Sequence, residues 1–134
     1  MATTYHLQIV TPDHMAFDGQ AERILLRTVE GDICILAHHI DYAAPLGIGV
    51  ARMTDAEGNV REAACNGGLV SVHNGEVRVM AATFEWADEI DLARAEKAQQ
   101  KAQEKLNTLR RDDQEYWMME AKLKRAITRI HVKQ

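Results

Sequence analysis

A short list of residues has the types and spacing to do chemistry. The densest polar cluster is Ala37-His38-His39-Ile40-Asp41-Tyr42. Two imidazoles and a carboxylate are ligand types a metal ion accepts. Adjacent side chains in extended chain point to opposite faces, so His38 and His39 could share one ion only across a sharp turn. The residues therefore read as an exposed loop whose polar groups hydrogen-bond locally or face a partner.

The second set is Asp91, Arg94, Arg125 and Arg129. Guanidinium groups grip phosphate oxygens in pairs of parallel hydrogen bonds, so arginines gathered near one carboxylate could cradle a phosphate. The competing reading is a surface salt-bridge network worth ~0–1 kcal/mol per pair, and spacing alone favours that network. No P-loop, GxGxxG, nucleophile elbow or CxxC is present, so the common signatures of nucleotide hydrolysis, dinucleotide binding and acyl transfer are missing. The chain reads as a binding protein, not an enzyme.

Charge divides the sequence unevenly. Residues 1–87 hold no lysine; five arginines face eleven acidic residues, a net of −6. Residues 88–134 carry eleven basic and nine acidic residues, a net of +2. An acidic body argues against nucleic acid as the main ligand. Cys34 and Cys65 lie in apolar runs and read as reduced, partly buried thiols. The opening MATTYHLQIV has no basic region followed by a long apolar one. No apolar run reaches the ~18 residues a membrane span needs. The expected location is the cytoplasm, either free or on a membrane complex.

The elements that must position these residues follow from periodicity. Tyr5–Val10 alternates as a strand, Met15–Phe17 reads as a short run stopped by Asp18-Gly19, and Ala21–Val29 as a longer strand. Ile33-Cys34-Ile35-Leu36 is continuously apolar and suits a strand buried on both faces. Strands over Ala43–Met53 and Val60–Cys65 flank a hairpin loop, Asn66-Gly67-Gly68 reads as a tight turn, and His73-Asn74-Gly75-Glu76 is a hairpin signal. Short strands with turns every 8–12 residues predict an antiparallel sandwich or barrel.

After Trp86 the period becomes helical. Asp88 is placed to cap a first helix running to about Asn107, with Ala95, Ala98, Ala102, Leu106 and Leu109 on one stripe. Asp112-Asp113 is placed to cap a second, with Glu115 in the capping box and Tyr116, Met119, Leu123, Ala126, Ile127 and Ile130 on its stripe. The expected fold class is mainly β within α+β: a β-sandwich or barrel over 1–87, then an antiparallel two-helix hairpin over 88–134. An alanine stripe buries little, on the order of 1 kcal/mol or less per methyl. The hairpin must dock on its own body or on a partner. An antiparallel hairpin would bring Arg125 and Arg129 back towards Asp91 and Arg94.

In this order and spacing the chain resembles the epsilon subunit of bacterial F-type ATP synthases. The residues that carry the resemblance are Tyr5–Pro12, Phe17-Asp18-Gly19, Glu30–Ile33, Asn66–Leu69, Gly75–Val79, Ile90–Ala95 and Leu123–Ala126. The resemblance implies a central-stalk rotor subunit on the cytoplasmic face of the membrane. Its partners would be the gamma subunit and the c-ring, and it would help couple ion flow to ATP synthesis. It implies a hairpin able to extend along gamma towards alpha and beta and to inhibit ATP hydrolysis. No cofactor is required. In some members ATP acts as a regulatory ligand at positions matching Ile90, Asp91, Arg94, Ala95, Arg125 and Arg129; a further family arginine is Lys101 here.

It also puts Asp32, His38, His39 and Asp41 near the gamma and c-ring contacts. There the sequence departs most. The family usually reads Leu-Pro-Gly-His-Ala-Pro-Leu, and only His39 matches within Ala37–Tyr42. Cys34 stands where glycine is common. Two other readings compete: a free-standing nucleotide-sensing module, and a small metal-dependent enzyme built on His38, His39 and Asp41.

Overall fold

Tyr5, Leu7 and Ile9 alternate with His6, Gln8 and Val10, and this pattern becomes the first strand in the computed structural model, which describes residues 3–134. Strand β1 (Tyr5–Val10) buries the first three side chains and turns the others outward. It is followed by β2 (Met15–Thr28), β3 (Gly31–Leu36), β4 (Tyr42–Asp55), β5 (Val60–His73) and β6 (Glu76–Trp86). A short 3-10 turn, Ala87–Glu89, leads to helix α1 (Leu92–Leu106) and then α2 (Gln114–Lys133).

The sheet order is β1-β6-β5-β4-β2-β3, and a further β1–β2 pairing closes it into a barrel. Closure removes the edges of the ring β1-β6-β5-β4-β2, while β3, which pairs with β2 alone, keeps one edge open. All pairings are antiparallel except β1 with β6, which run parallel. Leu7, Ile9, Ile24, Leu26, Ile35, Met53, Val70 and Val79 are fully buried inside. The mainly-β barrel followed by two helices is the expected fold class.

Several local expectations are corrected. Met15–Phe17 is not a separate run, because β2 continues through Asp18-Gly19. Its first half pairs with β1 and its second with β3 and β4, so one strand serves two parts of the barrel. Asn66-Gly67-Gly68 is not a turn but the middle of β5. The register with β4 and β6 is the same on both sides of it. Gly67 and Gly68 hold φ of 63° and 114°. A Cβ on Gly68 would lie 2.0 Å from the Met80 carbonyl oxygen, so only glycine fits there. Ile33–Leu36 is not buried on both faces, since Ile35 is buried and Cys34 exposed. By contrast, Asn74 and Gly75 both have positive φ, as the hairpin signal requires.

The helices also begin differently. Asp91, not Asp88, caps α1: its Oδ1 accepts the Arg94 backbone N–H at 3.2 Å. Asp88 falls in the 3-10 turn, where Glu89 accepts the Trp86 N–H at 3.0 Å. Asp113 precedes α2, but its carboxylate accepts from the Arg110 N–H instead of capping the helix. On α2 the inner face is rotated from the expected stripe. Ile127 is 45% exposed, while Val132 is buried with Ile90 and Ala64 in a second cluster, flanked by Val50 and Ala87. That cluster seats the hairpin on β4 and β5.

Candidate functional site

The base of the hairpin is built from three strands and both helices. Asp91 is the last residue before α1, so its carboxylate stands at the helix N-terminus with its hydrogen-bonding capacity turned to the backbone. Arg94 follows one turn on, exposed, and Ala95 is buried against the interface. From α2, Arg129 reaches back to β6, its Nε donating to Glu85 Oε1 at 2.5 Å. Lys133 Nζ adds a bond to the Ala87 carbonyl at 3.1 Å. Ile90 is buried at the centre of the docking cluster.

Arg129 divides two clefts. On the β side, a cleft of about 460 Å³ is lined by Asp91, Arg94, Ala95 and Arg129 together with Glu85 and His14. Asp13 and Glu89 add further carboxylates there. On the helical side, a groove of about 580 Å³ runs between α1 and α2 and is lined by Lys101, Lys105, Lys122, Arg125 and Arg129. Among the described residues, no carboxylate lines it. The structure thus brings Asp91, Arg94, Ala95 and Arg129 to one cleft, and turns Arg125 into the neighbouring groove. Glu85, His14, Lys105 and Lys122 were not singled out from sequence. Glu85 lies in a strand and His14 in a turn 71 residues before it, so helical spacing carries no signal for them.

The second group of candidate residues lies on the barrel. Asp32 belongs to β3 and pairs with Arg27 across the β2–β3 ladder at 2.7 Å. His38 takes a left-handed φ of 64° in the β3–β4 connection. His39 Nδ1 is 2.8 Å from the Ile40 carbonyl, and its ring meets Tyr42 edge-on at 5.7 Å. Asp41 accepts the Asn74 N–H at 3.0 Å and pairs with His73 at 3.3 Å. Asp32, His39 and Asp41 are matched locally, and Ile40, 78% exposed, forms the tip of the connection. Among the described residues, no three His, Cys, Asp or Glu side chains come together as a metal site would require.

One outward-facing row does not depend on charge. Pro45 on β4 pairs with Leu69 on β5, Leu69 with Met80 on β6, Met80 with Val10 on β1, and Val10 with Met15 on β2. Leu69, Met80 and Met15 are 40%, 37% and 49% exposed. The row is a continuous apolar band across five hydrogen-bonded strands.

Comparison with known proteins supplies the frame for these surfaces. Residues 4–87 match the family model described as ATP synthase, Delta/Epsilon chain, beta-sandwich domain. Residues 88–134 match ATP synthase, Delta/Epsilon chain, long alpha-helix domain. The chain is 36% identical over 132 residues to the ATP synthase epsilon chain of Caldanaerobacter subterraneus subsp. tengcongensis, covering 98% of this chain and 95% of that one. It is 38% identical over 133 residues to the ATP synthase epsilon chain of Clostridium botulinum strain Alaska E43, covering 99% and 98%. In shape it is similar to a chain of the Euglena gracilis mitochondrial ATP synthase, with a TM-score of 0.79 at 22% identity over 90% of this chain and 76% of that one. A chain of the Tetrahymena thermophila mitochondrial ATP synthase central stalk and c-ring gives 0.65 at 16% identity, over 99% and 98%. These last two show the shared fold. The family models and the bacterial relatives show more: this chain belongs to the ATP synthase delta/epsilon chain family.

Proposed function

We propose that the chain is the non-catalytic rotor subunit of an F-type ATP synthase, dividing at residue 87 into an anchoring barrel and a responsive hairpin. The observation that carries this reading is the apolar band Pro45-Leu69-Met80-Val10-Met15 on a chain related end to end to ATP synthase epsilon chains. An apolar band exposed across several strands is what a permanent subunit contact needs. The partners are the gamma subunit and the c-ring. They hold the chain peripherally on the cytoplasmic side of the bacterial membrane, where it helps couple ion translocation to ATP synthesis. Asp32, His38, His39 and Asp41 are offered as a neighbouring contact region, with Ile40 as its apolar tip. No helix of the described residues is long and apolar enough to cross a membrane.

The test is co-purification of the full chain with gamma. Met80→Asp and Leu69→Asp should each cost at least about 2 kcal/mol of gamma affinity, because each buries a charge in the contact. Unchanged affinity in both would overturn the assignment of this face. A chain with no affinity for gamma at all would favour the free-standing sensor instead.

The hairpin is proposed to inhibit ATP hydrolysis when it leaves the barrel and extends along gamma towards alpha and beta. Its docking cluster is small and, among the described residues, one ion pair joins it to the barrel, which supports release at modest cost. ATP is proposed to hold it down, gripped by Asp91, Arg94, Ala95 and Arg129 of the cleft and by Arg125 from the adjoining groove, with Ile90 beneath them. Arg129, shared by both clefts, supports this reading. ATP titrated into the purified chain should protect α2 from proteolysis. Arg94→Ala and Arg125→Ala should remove that protection.

A further inference from the structure

The groove between the helices is more basic than a short anion requires. Lys101 and Lys105 come from α1, one helical turn apart; Lys122, Arg125 and Arg129 come from α2. Arg129 is tied to Glu85, and Lys105 loosely to Glu115 at 3.6 Å. Among the described residues, Lys101, Lys122 and Arg125 have no carboxylate within ion-pair distance. Cations facing one another across a groove repel, and a multivalent anion lying between them converts that repulsion into attraction.

The shape of the groove narrows the class of anion. Ala98 and Ala102 form part of its floor, with Met119 beside them. Small floor residues let a ligand approach the helix backbones closely. A volume of about 580 Å³ lies in the small-ligand range. A protein helix, at ~10 Å across, is too wide for a seam between two packed helices. The cations are strung along the groove instead of converging on one point. Lys105 and Lys122 extend them beyond the arginines of the nucleotide reading, towards the hairpin turn.

We infer that this groove binds a linear polyphosphate chain, with Lys105 and Lys122 holding the phosphates beyond the third. The inference rests in part on the nucleotide reading above, because Arg125 and Arg129 serve both. The test is calorimetric titration of the full chain with inorganic tripolyphosphate, inorganic hexaphosphate and ATP, with a poly-glutamate peptide as the non-phosphate anion. Hexaphosphate should bind at least about tenfold tighter than tripolyphosphate. Roughly fourfold of such a gain would come merely from the extra registers of a longer chain. The double variant Lys105→Ala, Lys122→Ala should reduce the gain to that register factor. Alanine is the better helix former, so the hairpin stays folded, as circular dichroism would verify.

A gain no larger than the register factor in the parent chain overturns the inference, as does a double variant that keeps the full gain. Poly-glutamate binding as tightly as hexaphosphate overturns the phosphate class. ATP binding without a length gain leaves the nucleotide reading standing and removes this one. A length gain without ATP binding does the reverse.

Discussion

Arg129 of α2 and Glu85 of β6 form the ion pair that crosses from hairpin to barrel, Nε to Oε1 at 2.5 Å, with each side chain about a third exposed. The pair stands on the wall between the acidic cleft and the basic groove, so whatever occupies either must act beside it. Glu85→Gln should weaken hairpin docking by about 1 kcal/mol, given its partial exposure. Amide exchange in α2 should quicken several-fold while the barrel amides stay unchanged. Equal protection in parent and variant would mean that the pair contributes nothing to docking.

The apolar part of the seam is testable separately. Val132, Ile90 and Ala64 are each nearly buried in a cluster apart from the barrel core. Val132→Ala removes two methyl groups from it and should loosen the hairpin by about 1–2 kcal/mol. Limited proteolysis should then cut α2 faster, with the barrel's melting temperature little changed. A matching fall in barrel stability would show instead that the two parts unfold together.

Inside the barrel, two neighbouring glycines should respond unequally. A Cβ at Gly68 meets the Met80 carbonyl oxygen at 2.0 Å, whereas at Gly67 the nearest side-chain atom lies at 3.9 Å. Gly67→Ala bears only the left-handed backbone strain, about 1–2 kcal/mol. Gly68→Ala adds a backbone clash and should cost at least about 3 kcal/mol. Denaturant melts of both variants give the comparison; equal losses would refute the role given to Met80.

The β1 seam should carry a pH dependence. His6 Nε2 lies 2.6 Å from Asp18 on β2, and Nδ1 lies 3.2 Å from Glu76 on β6. The Asp18 carboxylate, then Glu76, raises the His6 pKa above its ordinary 6.5; His6 in turn lowers that of Asp18 below 3.8. The histidine's contribution is complete below about 6.5 and fades as pH rises through its higher folded value. The aspartate's is complete above about 3.8 and fades as pH falls through its lower one. Stability from this seam is therefore greatest between the two. His6→Gln should flatten the alkaline limb of the pH–stability curve; a limb unchanged in slope would sink the assignment.

The thiols should differ sharply. Burial pushes Cys65 up to about 12, while Cys34 is exposed on β3. A thiol reagent at neutral pH should label one cysteine in the folded chain and the second only after denaturation. Labelling of both at similar rates would contradict the burial of Cys65.

Much of this was legible beforehand. Alternation in Tyr5–Val10, the Asn74-Gly75 hairpin and the switch to helical period after Trp86 are local patterns, and each appears in the structure. Local misreadings arose where a residue's partner is distant. Gly67 and Gly68 look like a turn by composition, but their left-handed backbone lies within a strand whose neighbours on both sides keep register. Asp88 looks like the cap by position, but Glu89 takes the Trp86 N–H and a 3-10 turn forms first, so α1 starts from Asp91 instead.

The sequence by itself determined the composition of the two halves: a lysine-free acidic barrel and a basic pair of amphipathic helices. It also determined the arginine spacing, because i and i+4 share a helix face whatever the fold around them. Only the tertiary structure decided which groups those arginines meet. Glu85 lies 44 residues before Arg129 and in a strand, so no periodicity links them. Barrel closure and the packing of Val132 on Ala64 bring the two together. The same packing turned Arg129 to face both the cleft on one side and the groove on the other.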